Sequence, residues 1–367
     1  MSIESDLKKN GITVIEPLDR GSIETIAKSV STEIVSAFSN FGFTFDSLYE
    51  RFSNLPMYVA NMPEGLAEAS YFYKNSSVYF RDGMGLCELE KYAVHELVHN
   101  LQEVKDEKGN LLRLGLSSFK GSKSFGLALN EAAVQTVASN ILGSTFDNVT
   151  YYDITFSTIS PDYYPLLCNL ISQMAYITGE EVLFDSTLNS NSHFKNKFSA
   201  LCGENTYKQI CLTLDKILNI EEKIVKLRQK SQDEDLPMVK YHTINEKIAE
   251  LKSQIKNMYL STQELIIKSY FSTVYKSLMS SADVDNFRKK LYNFQDLIGT
   301  TDGYYFFNNF YIQMMENLDK KFDNFADKDY NNTYLIEKKE SKFSRIINLI
   351  KNILLKREFK SNIDNKN

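Results

Sequence analysis

His95 and His99 are two of only four histidines in 367 residues, and they bracket Glu96 in the run His95-Glu-Leu-Val-His99. If this stretch is helical, imidazoles four residues apart share one face, roughly 6 Å apart at Cβ, and both reach a single metal ion. Glu96 then emerges beside that ion, placed to take a proton from a water bound there. This is the donor set of metal-assisted hydrolysis. A shuffled chain of this composition would contain the pattern on the order of a few times in a thousand. The flanking residues suit a buried metal-bearing helix: Ala93, Val94, Leu97, Val98 and Leu101 are apolar and Asn100 is neutral, where a solvated helix would carry lysine and glutamate.

Two imidazoles do not complete a catalytic centre, which takes a third protein ligand and leaves a position open. Glu103 lies about 12 Å of helical rise from His95, too far to share its ion. Cys87 precedes His95 by two turns, so it is excluded as a thiolate ligand and reads as a reduced, half-buried thiol. His193 and His242 stand alone in polar surroundings. The stronger candidate is Glu131. From Leu127 to Leu142 it is the only ionisable side chain, on a helical stripe with Leu127, Val134 and Ala138. A carboxylate buried there without compensation costs several kcal/mol, so it must be protonated, paired or bound to metal, and the nearby histidines favour metal. Gln135, one turn on, can accept the free ring N–H of a metal-bound histidine or serve as an ordinary interhelix hydrogen bond.

These residues together resemble the gluzincin class of zinc metallopeptidases: an HExxH helix followed by Asn130-Glu131-Ala132 on a second helix. The resemblance covers about residues 55–165. It implies Zn2+ held by His95, His99 and Glu131, Glu96 as general base, and a peptide or protein substrate laid along the edge of a small sheet. The chain departs from the thermolysin-like pattern in two places. Gln135 stands where those enzymes carry aspartate, and the gap from His99 to Glu131 is longer, nearer that of clostridial neurotoxin light chains. A peptidase also needs a donor for the oxyanion; the nearest tyrosine clusters are Tyr151-Tyr152 and Tyr163-Tyr164, and Tyr163 and Tyr164 are favoured.

The elements that must hold these groups are legible in outline. Leu55–Ala60, Ser70–Tyr73 and Ser77–Phe80 read as strands, the last two forming a hairpin, in a small antiparallel sheet packed on the motif helix. Residues 22–52, with Ile23, Ile26, Val30, Ile34, Val35 and Phe38 at helical spacing, predict an amphipathic helix covering one side. The segment 104–124 is expected to be a loop or hairpin, either a flap on the cleft or a plain surface excursion. Beyond residue 185 long helices dominate, with 208–230 and 243–279 suggesting a helical hairpin. The predicted fold class is therefore α+β, predominantly α. We divide it into a zincin-like domain (1–185), a helical domain (186–337), and a basic amphipathic helix with its tail (338–367).

Residues 338–360 carry eight basic and two acidic side chains around an apolar stripe, suiting an anionic membrane surface, a partner groove or the protein's own domain. A net charge of −5 and no basic stripe argue against nucleic-acid binding. The charged N-terminus, the absence of an apolar run of about 18 residues and four cysteines without CxxC spacing point to a cytoplasmic protein without a transmembrane segment. The competing reading is a non-catalytic scaffold whose zinc cross-links two helices while the helical half binds partners.

Overall fold

The computed structural model describes residues 3–62, 67–120, 123–232 and 237–325. The basic segment 338–360 and the tail that follows it lie outside these residues. Packing divides the chain into two units. The larger holds Met1–Val274 with Phe294–Tyr304; the smaller holds Tyr275–Asn293 and the chain from Tyr305 onward. The class is α+β and predominantly α, as the hydrophobic periodicities predict.

In the larger unit, α1 (Ile3–Lys9) leads to β1 (Thr13–Pro17), then α2 (Arg20–Ala37) and α3 (Phe45–Ser53). The periodicity read as one helix is thus two. The chain turns between them at Gly42, whose φ of +82° is open to glycine and strained for other residues. Asp19 and Thr44 cap the two helices by accepting from the N–H groups of Ser22 and Ser47. Three strands follow, β2 (Met57–Asn61), β3 (Ala69–Phe72) and β4 (Ser77–Arg81), and with β1 they make a four-stranded sheet in the order β1-β2-β4-β3. The β3–β4 hairpin is antiparallel, as its short polar connection predicts; the β2–β4 pair is parallel, because β3 is placed outside β4 and not between the two. β3 is consequently an edge strand.

The motif helix α4 (Leu86–Leu101) packs on α2, β3 and α5 (Leu127–Ile141). Its Ala93, Val94, Leu97 and Val98 are completely buried among Ile26, Val30, Ile34, Phe52, Phe80, Val134 and Val137. Each of the three larger side chains contributes about 1.5–3 kcal/mol by leaving water. This core fixes the rotation of α4 about its axis. The interval between α4 and α5 is a complete antiparallel sheet in sequential order: β5 (Glu103–Lys105), β6 (Leu111–Leu114), β7 (Ser117–Lys120) and β8 (Lys123–Phe125). The turn from β6 to β7 is pinned to the helices, since Gly115 N–H donates to Ser190 Oγ (2.7 Å) and Leu116 N–H to Asn130 Oδ1 (2.9 Å). A Cβ on Gly115 would lie 2.2 Å from Asn130 Oδ1, so the backbone can approach only as glycine.

Next come the hairpin β9 (Asp147–Tyr151) and β10 (Ile154–Thr158), then α6 (Pro165–Thr178), α7 (Glu180–Leu188), α8 (His193–Cys202) and the long helices α9 (Glu204–Ser231) and α10 (Met238–Ser277). Neither β1 nor the β9–β10 hairpin follows from the sequence patterns. The smaller unit contains α11 (Ser281–Phe294) up to Asn293 and a helix over 306–325, in which Arg288 pairs with Asp319. No helix among the described residues is long and apolar enough to cross a membrane.

Glu221, on α9, is a buried carboxyl whose Oε1 has no hydrogen-bond partner; it lies near Tyr151, Tyr152, Tyr164 and Cys168. Burial alone pushes it from 4.5 up to about 7. The folded protein therefore keeps a proton that the unfolded chain releases between those values, and stability falls as pH rises through that window. Urea unfolding across this range is expected to show a loss of up to about 3 kcal/mol that the Glu221→Gln variant does not show.

Candidate metal centre

α4 presents its core residues to one side and His95 and His99 to the other, where they meet Glu131 from α5. His95 Nε2 lies 3.1 Å from His99 Nε2 and 3.4 Å from Glu131 Oε2, and His99 Nε2 lies 3.5 Å from Glu131 Oε1. A tetrahedral ion with metal–ligand bonds of 2.0–2.1 Å spaces its donors by about 3.3–3.4 Å. The two glutamate distances run to different carboxylate oxygens, and one donor atom from each residue lies within 4.8 Å of the others, close enough for the three to share an ion.

The hydrogen bonds around the donors are compatible with a cation. Gln135 Oε1 sits 2.9 Å from His95 Nδ1, while the Gln135 amide nitrogen is 3.3 Å from Ser139 Oγ. That bond puts a proton on His95 Nδ1 and turns Nε2 towards the Glu131 carboxylate and His99. These groups can sit this close only if a proton or a metal ion is shared among them. Burial works against charge on Glu131, but protons on the adjoining imidazoles of His99 and His95 outweigh it and hold the carboxyl far below its usual range; a metal ion in the same place would act in the same sense. Glu131 is ionised. The His99 Nδ1 is buried without a close partner, and the Gln102 amide is the polar side chain beside it. The donor set fits a metal ion: His95, His99 and Glu131 can bind one.

Glu96 stands about 100° round the helix from His95, beside the cluster on the side of β3. Its Oε2 accepts the Tyr71 backbone N–H at 2.6 Å. That N–H is available because the Arg81 N–H bonds the Glu68 carbonyl. The hydrogen-bonded pairs of the β3–β4 ladder therefore fall at Ser70–Tyr79 and Phe72–Ser77, leaving Ala69 and Tyr71 facing the free edge. Sequence reasoning missed Tyr71, since a backbone donor leaves no signature in side-chain type.

An open cleft of ≈ 220 Å³ runs between β3 and the two ligand helices. Its walls include Tyr71, Tyr92, Glu96, Gln135, Tyr163 and Tyr164. The sequence-favoured tyrosine pair thus borders the donors, whereas Tyr151 and Tyr152 do not line the cleft and bond to each other at 3.1 Å. The Tyr163 hydroxyl donates to Tyr92 Oη (3.2 Å). Tyr164 precedes Pro165 with a left-handed φ of +51°, a strained conformation for a non-glycine residue. Burial and the nearby charges of Glu131 and Glu96 raise its hydroxyl well above the usual tyrosine value, so it is a donor at neutral pH.

The other candidates are elsewhere. Glu103 accepts from Ser76 and pairs with Lys105, exposed His193 pairs with half-buried Asp185, and His242 is exposed. Cys87, expected to be half-buried, is exposed, because it occupies the solvent side of the first turn of α4. A second residue missed by sequence reasoning is Asp215 on α9. It supplies the cap that Gly126 lacks, accepting the N–H groups of Gly126 (3.2 Å) and Ala128 (2.9 Å) at the start of the Glu131 helix. The uncapped glycine before an apolar helix is the one sequence signal for such a partner.

Metal titration of purified protein is expected to give one tight divalent site that Glu131→Ala abolishes. Gln135→Leu, which removes the acceptor from His95 Nδ1, is expected to weaken that site by about 10–100-fold without loss of the fold. Unchanged affinity in both variants would place the metal elsewhere. Comparisons of the chain with protein-family models, with curated proteins and with solved structures return no match, so the functional reading rests on these residues and their geometry.

Proposed function

We propose that the protein is a zinc-dependent metallopeptidase of the gluzincin type. The observation that supports this reading is the convergence of two imidazole nitrogens and one carboxylate, with Glu96 on the adjoining wall of an open cleft. Two histidines and one glutamate are a donor set typical of catalytic zinc, and three protein ligands leave a coordination position free. A structural site is closed by four protein ligands. Here Glu131 retains 26% and His95 15% of side-chain exposure, on the cleft side, which favours catalysis over a cross-linking role.

When bound, zinc would supply Lewis acidity, bringing a water towards neutral acidity and polarising the carbonyl it attacks. The protein's own groups do the rest. Glu96, its Oε2 held by the Tyr71 N–H, accepts the proton of the attacking water and passes it to the leaving amine nitrogen as the C–N bond breaks. Tyr164 is the donor we assign to the developing oxyanion; Tyr163, tied to Tyr92, shapes the wall beside it. The free edge of β3 offers Ala69 N–H and C=O to an extended peptide, which would add as a further strand. The substrate is accordingly a peptide or an extended protein segment. Four cysteines outside any disulfide suit a reducing compartment, and we place the activity in the cytoplasm.

Glu96→Gln is the decisive variant, because it retains shape and the bond from Tyr71 while removing the proton acceptor. Hydrolysis of a peptide library is expected to fall by about 10²–10⁴-fold with zinc stoichiometry and melting temperature unchanged. If the parent protein, loaded with one zinc, cleaves nothing in the library, the site is a structural cross-link and the peptidase reading fails. Tyr164→Phe is expected to lower kcat by about 10²-fold while leaving KM near its parent value, as removal of a donor used only in the transition state requires.

A further inference from the structure

We propose that Arg51 is a positioning residue that sets the general base through three successive hydrogen bonds spanning α3, α4 and β3. Arg51 Nε donates to Asn100 Oδ1 at 2.7 Å, and its guanidinium also donates to the Asn100 carbonyl. Asn100 Nδ2 donates to Tyr71 Oη at 3.1 Å, and the Tyr71 backbone N–H donates to Glu96 Oε2 at 2.6 Å. Each link fixes the next. Arg51 is far from the metal ligands in sequence and does not line the cleft, so it acts only through these neighbours.

The chemistry of the network explains why arginine stands there. Asn100 follows His99 in the last turn of α4, where carbonyls lack intrahelical partners and a cation is favoured. The planar guanidinium can satisfy the backbone oxygen and the side-chain oxygen of one residue together; a lysine has no such fork. With Oδ1 held by Arg51, the Asn100 amide has one orientation, its nitrogen towards Tyr71. The Tyr71 hydroxyl has Ser76 and Glu103 beside it, so it can accept from Asn100 and donate onward. The result is a clamp. It ties the end of α4 to an edge strand whose only ladder partner is β4, at the residue whose N–H meets Glu96.

A pairing that merely stabilised the fold would act on β3 as a whole. A positioning clamp acts on Tyr71 alone, because the Ser70 and Phe72 N–H groups are engaged in the β4 ladder and Tyr71 N–H is bonded to Glu96. Residue-resolved hydrogen exchange separates the two. In the full-length metal-free protein, Arg51→Met, which retains the aliphatic stem, is expected to raise exchange at the Tyr71 amide by about tenfold or more while Ser70 and Phe72 stay within about twofold of the parent. Tyr71→Phe cuts the last side-chain link without touching Arg51 and is expected to give the same pattern, which covers the case in which Arg51→Met does not fold.

Unchanged Tyr71 exchange in the folded variants, or an equal rise at all three amides, overturns the proposal. The functional consequence rests on the peptidase reading: kcat is expected to drop by about tenfold with KM and bound zinc unchanged. The two readings part cleanly. If the parent hydrolyses nothing yet Tyr71 exchange responds as described, the clamp stands and the peptidase reading falls; if hydrolysis depends on Glu96 but not on Arg51, and Tyr71 exchange is unmoved, the clamp falls alone.

Discussion

The half-buried carboxylate of Glu131 is the constraint from which the architecture around the site follows. It is the only ionisable side chain on α5, a helix otherwise buried in apolar surroundings. A carboxylate cannot remain charged there without partners, and protonation is opposed by the two imidazoles brought against it. Protons on the imidazoles or a cation at the common focus would satisfy all three groups, and the donor set can hold such an ion. The larger unit can be understood as the means of keeping that focus in place: α4 and α5 packed side by side, α2 buttressing α4, and the four-stranded connection from Glu103 to Phe125 fastened at Gly115.

Division of labour around α4 follows from its pitch. Positions 94, 97, 98 and 101 face the core or its margin, and positions 95 and 99 face α5. Position 96 falls between the two directions and meets the edge of β3. A side chain there can reach neither Glu131's place nor the core without leaving the helix. The spacing His-Glu-x-x-His therefore separates the imidazole pair from the carboxylate by geometry alone, provided something on the far side meets the glutamate. In this protein it is a backbone amide, whose position is set by ladder parity in β3. A shift of one residue in the β3–β4 register would turn the Tyr71 N–H inward and present Ser70 instead.

How much of this was legible in sequence depended on whether a group's environment left a trace near it in the chain. His95, His99 and Glu131 were legible because a charged or coordinating side chain in an apolar run needs an explanation. Gln135 was legible as a partner for a ring N–H because it lies one turn from Glu131. The strands β3 and β4 were legible from their aromatic runs, but the parallel pairing of β2 with β4 was not, since pairing partners are chosen by the whole sheet. Asp215 and Arg51 were invisible for the same reason: they act on residues 87 and 49 positions away, and nothing beside them signals it. The single helix read between residues 22 and 52 failed at Gly42, where the apolar period continues although the backbone reverses.

The placement of Asp215 shows how the later helices bear on the site. α5 opens at Gly126, which has no side chain to cap the first turn, and a helix start with unsatisfied N–H groups frays. Fraying would reach Glu131 soon, because it lies only four residues beyond Leu127. Asp215 closes the first turn from α9, and its negative charge at a helix N-terminus is favoured by the helix dipole. The carboxylate that caps and the carboxylate that ligates thus occupy one end of one helix, the first fixing the backbone that carries the second. A chain ended before α9 would retain the histidines and Glu131 but not the contact that holds α5 at the start, so the helical half is part of the metal centre's construction and not an appendage to it.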